Sequence, residues 1–269
     1  MTPTELQTGY DLDPADVERF RRDGFVHLRG VLSRPTLERY AEAITAKVIE
    51  LNTMHLPMHE RSTYDKAFLQ VMNLWREDDI ARELVLAPRL AAIATQLLGT
   101  EGVRLYHDQA LYKEPGGGIT PWHVDQHYWP LSTDRTCTAW IPLQDTPIEM
   151  GALSFAAGSQ RFDDLRGLSI GDESERLIQE AMDREQYPYV QEPFALGDVS
   201  FHTGLTFHRA PPNETNQPRK VMTVIYIDRD ITITEPVNEF QRNDLQKWMP
   251  GARVGEAPHG PLNPILHEL

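Results

Sequence analysis

Little in this chain points to export, to a membrane or to nucleic acid. Cys137 is its single cysteine, so an internal disulfide is impossible, which suits a reducing compartment such as the cytoplasm. No apolar run approaches the roughly eighteen residues that a membrane span requires. The opening segment, MTPTELQTGYDLDPADVERF, has neither a basic start nor an apolar stretch, so it does not read as a secretory signal. Positive charge is also scarce. The 26 Lys and Arg against 40 Asp and Glu leave a formal charge of −14, which repels phosphate backbones and argues against a nucleic-acid partner. The remaining composition is that of a globular protein, 40% hydrophobic and 25% charged. A chain of 269 residues can bury a large core as one domain.

The first hundred residues read as a helical buttress. Asp13 caps a helix that carries Val17 and Phe20 on one face and stops at Gly24. Ser33 precedes a second helix with Leu37, Tyr40, Ile44 and Val48 at helical spacing. Residues 53–66 show no period and read as loop. DDIARELVLAP and RLAAIATQLLG read as two more helices, the second closed by Gly99. From about residue 103 the period changes to two, in short runs rich in β-branched and aromatic residues. VRLYHDQALYKE, CTAWIPLQD, ALSFAAGS, DVSFHTGLTFH and KVMTVIYID are these strand segments. An acidic stretch at 162–187 interrupts them and reads as a helical insertion or lid. The proline-bearing tail, 231–269, is expected to wrap the body as irregular chain. One domain over 1–269 follows, with a β core at 101–230: a mainly β sandwich or jelly roll with N-terminal helices.

The most informative segment is Trp122-His123-Val124-Asp125. On an extended strand His123 and Asp125 share a face, and an imidazole beside a carboxylate suits a divalent metal such as iron(II). Alone, the pair is a weak signal and suits a polar surface strand better. His208, in a second strand region, offers the third ligand of a facial triad with positions left open. Arg219 follows eleven residues later, and a buried guanidinium is the natural partner for the far end of a dicarboxylate.

His123-x-Asp125 with His208, Asn213 and Arg219 as H-x(4)-N-x(5)-R resembles the phytanoyl-CoA dioxygenase (PhyH) family. PGGGITPWHVDQHYWP, TAWIPLQDTPIEMGALSFAAGSQ and GDVSFHTGLTFHRAPPNETNQPRK are similar to its core blocks in order, over roughly residues 15–230. The resemblance implies a double-stranded β-helix of cupin-like type, with iron(II), 2-oxoglutarate and O2. It implies that His123, Asp125 and His208 hold the metal, that Arg219 binds the distal carboxylate, and that Trp140 packs beside the co-substrate. Val124 and Ala210 depart from the family, where Gln and Ser are common. Asp125 argues against halogenation, which needs a small residue in place of the carboxylate.

Other side chains keep two readings. His127 lines the pocket or faces solvent, and His202 is a neighbour of the metal or a core histidine. Tyr106, Gln109 and Lys113 border the pocket or face solvent. Asn73 binds a ligand or caps a helix, and Tyr128 and Trp129 stack on substrate or fill the core. His107 reads as an ordinary strand residue, His27, His259 and His267 as surface. His55 and His59 read as loop, and Gly116–Gly118 as a flexible rim. The implied reaction oxidises an unactivated C–H bond of a small molecule, by hydroxylation, ring closure, epimerisation or desaturation, releasing succinate and carbon dioxide. The acidic insertion disfavours an acyl-CoA and points to a natural-product intermediate. The rival readings are a non-redox zinc or nickel enzyme on the same barrel and a non-catalytic scaffold. Neither needs both an intact triad and Arg219.

Overall fold

The computed structural model describes residues 4–269. Helix α1 (Pro14–Asp23) begins where the Asp13 carboxylate accepts from the Ala15 amide, and it ends at Gly24 with φ +83°. Strand β1 (Phe25–Leu28) follows directly, a strand inside the region expected to be mainly helical. Its pairing explains it: Phe25 to Leu28 align with His202 to Val199 of a distant strand, a contact that local periodicity does not report. Helix α2 (Arg34–Leu51) buries Leu37, Tyr40, Ile44 and Val48. The expected 53–66 loop contains a one-turn helix, α3 (Thr63–Ala67), capped by Ser62 onto the Asp65 amide. Strand β2 (Leu69–Met72) leads to α4 (Asp79–Val85) and α5 (Pro88–Leu98), the latter closed by Gly99 in the left-handed region.

The β core runs β3 (Gly102–Lys113), β4 (Thr120–His123), β5 (Thr136–Pro142), β6 (Ser154–Ala156), then α6 (Asp172–Arg184) inside the acidic insertion. It continues with β7 (Tyr189–Gln191), β8 (Val199–Thr203), β9 (His208–Ala210) and β10 (Arg219–Asp228). The tail is not irregular chain throughout. It forms α7 (Glu239–Trp248) and β11 (Ile265–Glu268). Pro236 and Pro250 frame α7 instead of excluding it, and Asn238 caps it by accepting from the Gln241 amide at 2.9 Å.

Two antiparallel sheets face one another. The larger has the order β1-β8-β5-β10-β3-β11, with β2 also on β3; the smaller is β4-β9-β6-β7. This is the double-stranded β-helix that the family resemblance implies, and a form of the jelly roll that the strand pattern suggests. Alternation sorts the large sheet. Ala139, Ile141, Met222, Val224 and Phe201 join the helices in the main apolar core on its outer side. Thr138, Trp140, Thr223 and His202 point inward. A bulge breaks this order in β3: Ile225 pairs with His107 and Tyr226 with Leu105, leaving Tyr106 as the extra residue. Among the described residues no helix is long and apolar enough to cross a membrane.

Candidate metal centre

Between the sheets lies a cavity of about 580 Å³, whose floor is the inner face of the large sheet. The small sheet supplies the histidines. His123 and His208 are cross-strand partners on β4 and β9, both buried, with ring centroids 4.1 Å apart. The strand expected to run through Asp125 in fact ends at His123, and a 3-10 turn begins at Asp125. Val124 keeps extended torsions of −121° and 136°, so the carboxylate still returns to the face of His123. The SFHTGLTFH segment likewise divides, His202 on β8 of the large sheet and His208 on β9 of the small one. Their rings nevertheless meet across the cavity, 4.5 Å apart.

Hydrogen bonds orient the cluster. His123 Nδ1 donates to the Pro121 carbonyl at 2.7 Å and His208 Nδ1 to the Thr206 carbonyl at 2.9 Å. Each Nε2 therefore presents a lone pair, and each lies 3.7 Å from Asp125 Oδ1. Thr138 Oγ1 donates to Asp125 Oδ2 at 2.9 Å, fixing the carboxylate. The three ligand atoms lie within 4.8 Å of one another. Burial pushes His123 down to about 3 and His208 to about 4, so both are neutral. Burial alone would raise the Asp125 carboxyl, but His208, His202 and His123 outweigh it and hold it ionised. Two neutral imidazoles and one carboxylate converging in this way are a donor set for a borderline divalent metal.

Arg219, at the start of β10, lines the same cavity and is almost fully buried. Its Nη1 donates to the Gly151 carbonyl at 2.6 Å, its Nε has no partner, and its guanidinium sits 5.5 Å from the Trp140 ring centroid. No carboxylate among the described residues pairs with it. Burial drives it down to about 9. A desolvated, planar cation without a counter-ion is complementary to a carboxylate-bearing ligand.

The other candidates divide. Gln109 and Tyr128 line the cavity, as does Trp129. His127 lies outside the cavity, close to Ser169 Oγ, and meets Tyr128 edge-on and Phe240 at a tilt. Asn73 holds a left-handed backbone before the 3-10 turn at Leu74–Arg76 and does not reach the cavity. Lys113 is sealed beneath the site, where its Nζ donates to the Gly118 and Pro211 carbonyls and burial pushes it down to about 6. His55 and His59 are exposed, His55 in loop and His59 in a 3-10 turn, Met58–Glu60. His27 is not a surface residue: its ring is nearly covered, stacked on Phe194 and bonded to Glu192 and Asp198. Sequence reasoning missed His107, Asp244 and Trp248, all on the cavity wall. The Phe240, Asp244, Trp248 spacing of i, i+4, i+8 behind an Asn cap was the available signal for that wall.

The acidic insertion is less detached than a lid. Glu175 accepts from the Trp122 amide and pairs with Arg209, and Gln179 accepts from the Trp122 indole. These contacts anchor α6 to β4 beside His123.

Known proteins place this geometry in a family. A probable alpha-ketoglutarate-dependent hypophosphite dioxygenase of Stutzerimonas stutzeri is 26% identical over 158 residues, 56% of this chain and 54% of that protein. The chain thus spans about half the length of that curated relative. The alpha-ketoglutarate-dependent carbocyclase SnoK of nogalamycin biosynthesis has a similar structure. It matches with a TM-score of 0.78 at 28% identity, over 95% of this chain and 96% of its own. The epimerase SnoN, solved with Fe3+, alpha ketoglutarate and nogalamycin RO, matches with a TM-score of 0.76 at 28% identity, over 95% and 100%. The family described as phytanoyl-CoA dioxygenase (PhyH) matches residues 20–221, three quarters of the chain, and the protein belongs to it.

Proposed function

We propose that this protein is an iron(II)- and 2-oxoglutarate-dependent oxygenase that oxidises a C–H bond of a small secondary metabolite. The observation that carries the reading is Arg219, a buried guanidinium without a counter-ion in the cavity that holds the His123, Asp125, His208 cluster. A non-redox metal enzyme has no use for such an anchor. The two neighbours from nogalamycin biosynthesis support the co-substrate and a natural-product substrate.

When bound, iron with 2-oxoglutarate and O2 supplies the oxidising power, and succinate and carbon dioxide are the co-products. The chain's own residues position and exclude. His123, Asp125 and His208 would hold the metal. Arg219 would take the distal carboxylate of 2-oxoglutarate, with Trp140 shielding it from water, which strengthens the pair. The rest of the cavity is large and aromatic, walled by Tyr64, Phe68, Tyr128, Phe240 and Trp248. That volume suits a drug-sized molecule better than a small oxyanion. Residues 163–171 contribute Ser169 and Ile170 to the wall, and Tyr128 Oη accepts from the Ile170 amide at 3.0 Å. We assign the cover of the site to this stretch, not to the anchored α6. Succinate released from 2-oxoglutarate by iron-loaded protein only when a substrate is present is the expected result. Failure of every candidate substrate to raise succinate above its uncoupled level would contradict the reading.

A further inference from the structure

The cavity has a second polar region, far from Arg219, that neither the metal nor a dicarboxylate explains. Along β10 the Arg219 row pairs with Lys113, whereas the Ile225 row pairs with His107 on one side and Thr138 on the other. Six residues separate those rows, about 20 Å at the rise of a strand. Thr138 binds Asp125, so His107 lies level with the metal ligands and two strands across, about 10 Å away.

His107 faces inward by simple alternation with Gln109 and Leu111 on β3, and the bulge adds Tyr106 to the same side. Register puts Tyr106 outside the pairing, and both Tyr106 and His107 turn to the inner side. Tyr106 then donates to Asp244 Oδ2 of α7 at 2.9 Å, which ties the helix to the sheet. His107 is 3% exposed, lines the cavity and has no hydrogen-bond partner on Nδ1. Burial keeps its ring neutral, pushing it down to about 3. A proton on Nδ1 would be a buried donor with no acceptor, so the favoured tautomer carries it on Nε2. The Trp248 ring lies 5.7 Å away, and Phe240 and Tyr128 form an edge-on pair at 5.2 Å nearer the mouth.

We propose that the pocket between β3 and α7 is a subsite for an oxygen-bearing ring of a planar, fused polycyclic substrate, and that His107 donates the hydrogen bond that recognises that oxygen. The proposal rests on the oxygenase reading and names its substrate class. The reach of about 10 Å from His107 to the metal ligands exceeds a single six-membered ring and suits fused rings lying across the sheet. Aromatic walls give such a ring system stacking area. Phosphate-bearing ligands are disfavoured here, because the exposed Lys247 is balanced on the same helix by Asp244 and the buried cation Arg219 is at the other end.

The test is fluorescence titration of metal-free protein, in chelator, with anthraquinone and with anthracene, the same fused frame without an oxygen. The wild type should bind the quinone about tenfold more tightly than the hydrocarbon, the scale of one hydrogen bond in a dry pocket. His107→Phe keeps an aromatic ring but no donor and should bring the two affinities within about threefold. His107→Gln restores a donor and should restore the preference. A preference undiminished in H107F, or absent from the wild type, overturns the subsite. The chelate band of iron(II) with 2-oxoglutarate, recorded on the same proteins, separates the two readings. A band with no quinone preference sinks the subsite alone, whereas no band in the wild type removes the oxygenase reading on which the subsite rests.

Discussion

Replacing Arg219 by methionine should move two measurements in opposite directions. In the ligand-free protein the guanidinium has one hydrogen bond, to Gly151, and an unpartnered Nε. Its fall from 12.5 to about 9 through burial amounts, at about 1.4 kcal/mol per tenfold change in proton affinity, to roughly 5 kcal/mol of missing solvation. Methionine fills similar space without that cost, and replacing buried charges by apolar side chains is commonly neutral or stabilising by about 1–4 kcal/mol. Ligand-free Arg219→Met should therefore melt at the wild-type temperature or above it. Binding of 2-oxoglutarate should collapse, because a desolvated charge-assisted pair whose partner is removed costs about 3–5 kcal/mol. That is a loss of roughly 10²- to 10⁴-fold in affinity. The assay is anaerobic titration of the iron-loaded protein with 2-oxoglutarate, beside calorimetric melting of the ligand-free form. An affinity within threefold of wild type would refute the anchor. A melting temperature well below wild type would refute the claim that the arginine is a cost in the empty site.

Other outcomes follow from particular contacts. A Cβ on Gly204 would lie 2.5 Å from Thr136 Oγ1 and 2.7 Å from Gln126 Oε1. Because the Gly204 carbonyl accepts from the Gln126 amide beside Asp125, Gly204→Ala should weaken iron binding about tenfold or more without removing a ligand, as read by metal titration. Asp108 is buried and pushed up to about 7, so the native state holds a proton that the unfolded chain releases near 4. Its contribution is present below about 4 and is lost as pH rises to about 7. Asp108→Asn should therefore gain stability relative to wild type between pH 5 and 8 in urea melts, and a constant difference would contradict this. Trypsin cleavage at Arg166, within the proposed cover, should slow when 2-oxoglutarate and a bound quinone are present. An unchanged rate would return the segment to the status of an ordinary loop.

Much of the site was legible because its geometry is local. His123, Val124 and Asp125 need only one extended residue between two ligands, and Val124 supplies it although the strand has ended. Arg219 was legible because a planar cation in an apolar strand has few other uses. β1 and β11 were not legible, since each is four residues long and exists only by pairing with β8 or β3. His107 shares the parity of Gln109 and Leu111, but alternation alone does not say which face of β3 borders the cavity. Tyr106 was unreadable because the bulge, set by the register with β10, turns it to that face too. The missed α7 is a different case. Prolines in the tail favour irregular chain, yet Pro236 and Pro250 lie outside the helix, one on each side, and the other three follow it. Lys113 shows the limit of alternation. It faces inward as its parity requires, but Gly118 and Pro211 close over it before the cavity begins.

The central claim, that one pocket chelates iron(II) and 2-oxoglutarate together, is tested most directly by anaerobic titration of purified protein with both, watching the weak visible charge-transfer band. The account predicts a saturable band in the wild type that disappears in His208→Ala. Iron bound by the wild type with no band on adding 2-oxoglutarate would contradict it and bring the non-redox metal enzyme forward.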